Sequence, residues 1–264
     1  MDLTNVYIGF ALATFAGLST GIGSLLGLYS KFENKRLLSL ALGFSAGVMI
    51  YVSFMELLLL SFDSLGGLYG DTYGKLIGVT AFIAGLLIML FIDQLFDHHS
   101  IADFISRSSN KEESLLIRTG VFSAIALAIH NFPEGFATFT AAVYDPAVGM
   151  TLAIAIAIHN IPEGLAVSVP IYYATKSKSK AFWISFASGL AEPLGAVIGF
   201  LIFRTVYNEA LFGISFALCA GIMIYVSLNE LLPVSKEYGK PSDPIMGVTA
   251  GIIVMAISLI LMYA

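Results

Sequence analysis

Two short phrases carry the residues best suited to chemistry: H-N-F-P-E-G from His130 to Gly135, and H-N-I-P-E-G from His159 to Gly164. In each, a His and a Glu stand four residues apart, with an Asn between them and a Pro just before the Glu. On a helix, positions i and i+4 share a face, and i and i+3 nearly do. His130, Asn131 and Glu134 therefore converge on one side, as do His159, Asn160 and Glu163. Pro133 and Pro162 cannot donate to the helix ladder. Each frees a carbonyl four residues earlier, Ile129 or Ile158, and predicts a kink. Gly135 and Gly164 admit a close neighbour. A third acid, Glu192, stands immediately before Pro193.

All of these residues sit inside long apolar runs. A charge at the centre of a bilayer costs about 2.5–3.5 kcal/mol on insertion scales. Three carboxylates at one depth cost more, because they also repel one another, and no Lys or Arg lies at that depth. The counter-charge must come from outside the chain, as protons or metal cations. Imidazole with carboxylate and amide oxygen suits Zn²⁺, Fe²⁺, Co²⁺ or Mn²⁺. Three carboxylates balance more than one divalent charge, which allows a two-metal site sharing Glu134 and Glu163. One such His alone would be read as a satisfied core residue. The doubled phrase with Glu192 is not read that way.

The elements that must position these residues follow from composition. Of 264 residues, 58% are hydrophobic and 12% charged, against about 25% charged in a soluble domain. Apolar runs recur at the ~20 residues a membrane crossing needs. They are continuous and not alternating, which excludes a transmembrane barrel. The fold class is an all-α polytopic membrane protein, a single transmembrane domain over 1–264. Eight spans are expected, near 5–28, 37–60, 76–95, 115–143, 147–173, 181–203, 210–232 and 245–263. No basic segment precedes the first, so a cleaved signal peptide is not expected. Cys219 is the single cysteine, which rules out a disulfide framework and reads as a small buried side chain.

Loop charge gives the orientation. The loops after spans 1, 3, 5 and 7 hold eleven of the 13 Lys and Arg residues, leaving only Lys75 and Arg204 opposite. Those four loops are expected in the cytoplasm of a cell-membrane protein, and both termini outside. The longest, 96–114, contains His98 and His99. A weak metal-receiving role is one reading of it, and a plain solvated linker the preferred one.

The chain also repeats itself. Gly47–Leu58 in span 2 and Gly221–Leu232 in span 7 are identical at nine of twelve positions. G-V-T-A occurs at 78–81 and 247–250, and Gly17, Leu18 and Gly23 match Gly189, Leu190 and Gly195. Spans 1–3 therefore recur as spans 6–8, at offsets of 174, 169 and 172 residues, around the central pair of spans 4 and 5. Matching spans are five apart, so the copies cross in opposite directions. In such inverted repeats the site lies near the midplane, at broken helices where repeats meet.

The repeat also pairs Glu56 with Glu230, near the outer end of span 2 and the inner end of span 7. They are expected as entry and exit stations for a cation. The competing reading is a helix-end acid paired locally. Met49 and Met223 are matched too, with core packing the expected role. Glycines four apart, such as Gly17 and Gly21 or Gly43 and Gly47, predict close helix contacts.

With these residues in hand, the sequence resembles the ZIP (Zrt/Irt-like) metal transporters, most closely their bacterial ZupT/GufA-like branch. The motifs are H-N-F-P-E-G-F-A-T-F, I-A-I-H-N-I-P-E-G-L-A-V, G-L-A-E-P-L-G and N-E-L-L-P, and the likeness covers nearly the whole chain. It implies a 3+2+3 inverted-repeat bundle and metal movement toward the cytoplasm. It also implies metal ligation by His130, Asn131, Glu134, Asn160, Glu163 and Glu192. His159 occupies a variable position and ranks below them.

The expected activity is secondary import of divalent metal. Zn²⁺ comes first, with Fe²⁺, Co²⁺, Mn²⁺ and Cd²⁺ accepted. The metal is substrate, no cofactor or catalytic residue is expected, and the partners are metal ions and the lipid bilayer. Nucleic acid is not a partner; a homodimer is left open. No G-x-x-x-x-G-K-S/T loop is present to couple ATP. The alternatives are an intramembrane metal-dependent hydrolase, which lacks an H-E-x-x-H helix here, and a cation/proton exchanger.

Overall fold

In lipid, a chain can satisfy its backbone polar groups only as helices or as a closed barrel. The computed structural model describes residues 2–29, 35–95, 111–206 and 208–263, and among them every regular element is helical. The elements are α1 (Leu3–Tyr29), α2 (Lys35–Val52), α3 (Leu58–Tyr69), α4 (Asp71–Leu95), α5 (Lys111–Tyr144), α6 (Pro146–Thr175), α7 (Lys178–Gly189), α8 (Ala191–Thr205), α9 (Glu209–Val226), α10 (Leu232–Lys236) and α11 (Asp243–Tyr263). Short π-helical turns, Ser53–Leu57 and Ser227–Leu231, join α2 to α3 and α9 to α10. Seven rods among the described residues are long and apolar enough to cross a membrane. Span 4 falls on α5, which is 34 residues long. His98 and His99, with the rest of 96–110, lie outside the described residues.

The outer faces suit lipid. Leu76, Leu87 and Phe91 on α4, and Ile257, Ile260 and Leu261 on α11, are all exposed. The protein is a multi-pass membrane protein.

Three expectations need correction. Span 2 does not stop near residue 60. It continues through α3 to Tyr69 and ends at Gly70, whose φ of 84° suits glycine and stops the helix. Glu56 is therefore inside a rod and not at its end. Next, α5 and α6 run through Pro133 and Pro162 without a break. The break comes in span 6, between α7 and α8, just before Glu192 and Pro193. Pro193 has no N–H for the Gly189 carbonyl, and that carbonyl faces Gly17 of α1. The third concerns register. Gly47 packs on the Val248 carbonyl and its mate Gly221 on that of Phe82. Phe82 and Val248 are 166 positions apart, three fewer than the offset of G-V-T-A. Three residues are close to one helical turn, so the shared string presents the same face from a shifted level.

The packing repeats in mirrored pairs. α1 lies mainly on α6, and α8 on α5; α2 lies mainly on α11, and α9 on α4. Each helix of one triplet thus packs on the other triplet or on the central pair. Glycines set the closest approaches: a Cβ on Gly23 would strike the Ile161 carbonyl, and one on Gly195 that of Phe132. On one side an apolar crevice of about 720 Å³ separates α4 and α9 from α5 and α8, with Met89, Ile129, Pro133, Leu194 and Cys219 in its wall.

Candidate metal centre

The two phrases lie on α5 and α6, which pack together along their length. His130, Asn131, Glu134, His159, Asn160, Glu163 and Glu192 are all fully buried. The contacts between the phrases are crossed. His130 Nε2 lies 3.3 Å from Glu163 Oε2, and His159 Nε2 lies 3.2 Å from Glu134 Oε1. Each imidazole therefore meets the carboxylate of the other phrase, not the one four residues along its own helix.

The carboxamides bind the flanking spans. Asn131 Nδ2 donates to the Ser188 carbonyl at 3.2 Å, and Asn160 Nδ2 to the Ala16 carbonyl at 3.0 Å. Ala16 and Ser188 are themselves repeat mates, 172 positions apart. Asn160 Nδ2 also donates to Glu192 Oε1. The break before α8 brings that acid in. A Cβ on Gly135 would strike the Glu192 backbone, so only glycine lets α8 approach this closely.

The donor set is incomplete within the protein. His130 Nδ1, His159 Nδ1, Asn131 Oδ1, Asn160 Oδ1, Glu134 Oε2 and Glu192 Oε2 are buried without a hydrogen-bond partner. Buried polar atoms are normally satisfied, and six orphans in one cluster require something to bond. All are of the types that ligate first-row divalent cations. Among the described residues, no three His, Cys, Asp or Glu side chains surround one point ready to hold a metal. They are paired with one another instead.

Glu56 and Glu230 both fall in the π-helical turns, a feature frequent at functional sites. Ser53 Oγ donates to the Met49 carbonyl, and Ser227 Oγ to the Met223 carbonyl, at 2.7 Å each. Glu56 is buried and Glu230 partly exposed. Glu230 stands within electrostatic reach of His130, Glu163 and Asp93. Met49 and Met223 are fully buried in the core, as expected.

Sequence reasoning missed two polar neighbours. Ser45 Oγ donates to Glu163 Oε1 at 3.1 Å and to the His159 carbonyl at 3.3 Å. It stands two residues before the repeated block of span 2, where its mate is Cys219, so the repeat gives no signal for it. Asp93 Oδ2 accepts from Tyr225 OH at 2.8 Å and Asn229 Nδ2 at 3.2 Å. It has no match in the repeats to signal it.

Comparison with known proteins gives the chain a family. The family model for ZIP zinc transporters matches residues 97–259. A zinc transporter ZupT of Chlorobium chlorochromatii (strain CaD3) is 50% identical over 263 residues, covering 97% of this chain and 98% of the relative. That of Chlorobaculum parvum is 49% identical with the same coverage. That of Oceanobacillus iheyensis is 47% identical over 267 residues, covering 98% of this chain and all of the relative. These relatives are transporters and not enzymes, which removes the hydrolase reading. With these matches along nearly its full length, the chain belongs to the ZIP family of metal transporters.

Proposed function

We propose that this protein imports divalent metal into the cytoplasm, zinc foremost and Fe²⁺, Co²⁺, Mn²⁺ and Cd²⁺ as well, through the cage between α5 and α6. The crossed pairs His130–Glu163 and His159–Glu134 carry the reading. They bring four ligand groups from two helices within bonding distance of one another. A ligating His must be neutral and a ligating carboxylate deprotonated, so metal entry displaces the protons of these bonds. Glu134 and Glu163 bridge two ions when both sites fill. Asn131, Asn160 and Glu192 supply oxygens on the flanks.

Transport proceeds by alternating access. The bundle of α2–α4 with α9–α11 moves against α1 and α5–α8. The apolar crevice between α4 and α9 on one side and α5 and α8 on the other supports motion there, because its walls are almost wholly apolar. Both termini face outside. Glu56 receives the ion on the outer side and Glu230 releases it on the inner side. The nearness of Glu230 to His130 and Glu163 supports its role as the next station.

The test is radioactive zinc uptake into proteoliposomes with competing divalent metals, comparing the unsubstituted protein with Glu163→Ala. The expected result is loss of uptake in the variant. Full-rate uptake by Glu163→Ala would remove the central claim.

A further inference from the structure

The cage is nearly symmetric, and the departure from symmetry falls at one residue. Gly17–Gly23 reads G-L-S-T-G-I-G, and Gly189–Gly195 reads G-L-A-E-P-L-G. In that register Thr20 of α1 takes the place of Glu192. The packing keeps the register. Gly164 of the second phrase lies on the Thr20 carbonyl, as Gly135 of the first lies on the Glu192 carbonyl. Gly17 and Gly189 each face the other's carbonyl.

The Thr20 hydroxyl, like that of Thr138, lacks the bond that several other helical threonines in the chain make. Thr14, Thr80, Thr140 and Thr249 each donate to the carbonyl four residues back. For Thr20 that carbonyl is Ala16, which already accepts from Ser19 Oγ at 2.6 Å and from Asn160 Nδ2 at 3.0 Å. Thr20 is fully buried, and its Oγ1 has no hydrogen-bond partner. It lies against Gly189, one residue beyond the Ser188 carbonyl that holds Asn131. The Asn131 Oδ1 is also without a partner.

We propose that Thr20 is a substrate-contacting residue whose hydroxyl, with Asn131 Oδ1, gives the cation a neutral oxygen pair on the α1 side of the cage. It mirrors the charged Glu192–Asn160 pair on the α8 side. The inference rests on the reading of the cage as the cargo site. Its consequence is a cage with unequal ends: an ion is held firmly by Glu192 and loosely by Thr20, so that one end can release. Hydroxyl and amide oxygens are hard donors, and they favour Mn²⁺ relative to Zn²⁺ more than imidazole does.

The experiment uses the full chain in proteoliposomes, with Zn²⁺ and Mn²⁺ uptake measured separately, and equilibrium dialysis of zinc in detergent. Thr20→Val keeps the shape and removes the hydroxyl; it is expected to lose Mn²⁺ uptake about tenfold, on the scale of a lost metal-site contact, and Zn²⁺ uptake less. Thr20→Ser is expected to retain the unsubstituted protein's uptake of both metals. Thr20→Glu, which writes the mirror residue into both ends, is expected to retain more zinc at equilibrium and to pass it more slowly. An unchanged Mn²⁺-to-Zn²⁺ ratio in Thr20→Val overturns the proposal, as does equal impairment of Thr20→Val and Thr20→Ser, which marks a packing role. If the unsubstituted protein takes up neither metal, the transport reading fails, and the dialysis of Thr20→Glu still decides whether Thr20 faces bound metal.

Discussion

Ser45 and Cys219 occupy the same place in the two halves of the repeat, 174 positions apart, yet bond differently. Ser45 Oγ donates to the Glu163 carboxylate at 3.1 Å. Cys219 Sγ donates to the Pro133 carbonyl at 3.4 Å, and the structure gives it no bond to Glu134, the mate of Glu163. With His130 on one oxygen of Glu163 and Ser45 on the other, that carboxylate is held at both ends. Glu134 is held at Oε1 only, and its Oε2 has no partner.

The first prediction follows from that difference. Partners that orient a metal-binding group are worth about 10–100-fold in affinity or activity. Ser45→Ala should therefore lower kcat/KM for zinc uptake by about tenfold, with the protein still folded, since only one small polar group is lost. Ser45→Thr keeps a hydroxyl and should recover most of the loss. Wild-type kinetics in Ser45→Ala would show that Glu163 needs no second anchor.

The crossed pairs make a second prediction. The resemblance alone ranks His159 below His130, because its position varies. The geometry does not: His159 meets Glu134 at 3.2 Å and His130 meets Glu163 at 3.3 Å, all fully buried. Removing His159 leaves buried Glu134 with no hydrogen-bond partner, and removing His130 leaves buried Glu163 with Ser45 alone; a buried charge short of a partner costs several-fold more than the net value of the bond. His130→Ala and His159→Ala should weaken zinc binding to a similar degree, each by tenfold or more on that scale. Isothermal titration of the detergent-purified proteins measures this. Near-normal binding by His159→Ala alone would restore the ranking implied by the resemblance.

These residues also show what the sequence makes legible. The site could be read because its parts are penalised in lipid: acids, imidazoles and prolines stand out in apolar runs. The mirrored packing could be read because Gly47–Leu58 and Gly221–Leu232 preserve nine of twelve residues. The crossing of His130 to Glu163 could not, because periodicity places side chains on one helix and says nothing of the next. Ser45 and Thr20 were silent for another reason. A hydroxyl in a helix usually bonds the preceding turn, and only the structure tells which carbonyls are already taken. The π-helical turns were hidden because α and π turns share the same apolar composition. Span 2 outruns its expected end near residue 60, because the helix passes Gly66 and Gly67 and stops only at Gly70.

A third prediction concerns the two acids in those turns. Glu56 and Glu230 lie outside the crossed pairs, so they should govern passage and not residence. Glu56→Gln and Glu230→Gln are expected to slow zinc uptake several-fold while leaving equilibrium zinc binding at the cage unchanged. The correction to span 2 matters here, since Glu56 is buried within a continuous rod and cannot simply reach an interface. Unchanged flux in both variants would remove their role as stations. Lost binding in either would make it a cage residue.

The last prediction tests the pseudo-symmetry through glycines that carry no chemistry. A Cβ on Gly23 would strike the Ile161 carbonyl, and one on Gly195 the Phe132 carbonyl. Both carbonyls belong to helix backbone that cannot step aside as a flexible side chain would. Overpacking of this kind costs about 1–3 kcal/mol. Gly23→Ala and Gly195→Ala should therefore lower the thermal unfolding midpoint in detergent by similar amounts, several degrees each on the scaling for domains of this size. Gly67→Ala is the control: it lies on α3 with nothing near its Cβ position, and alanine favours a helix over glycine. It should leave the midpoint unchanged or raise it. A large loss for one of the paired glycines and none for the other would mean that the two halves of the central contact do not bear load equally. The mirror relation would then hold in sequence but not in energy.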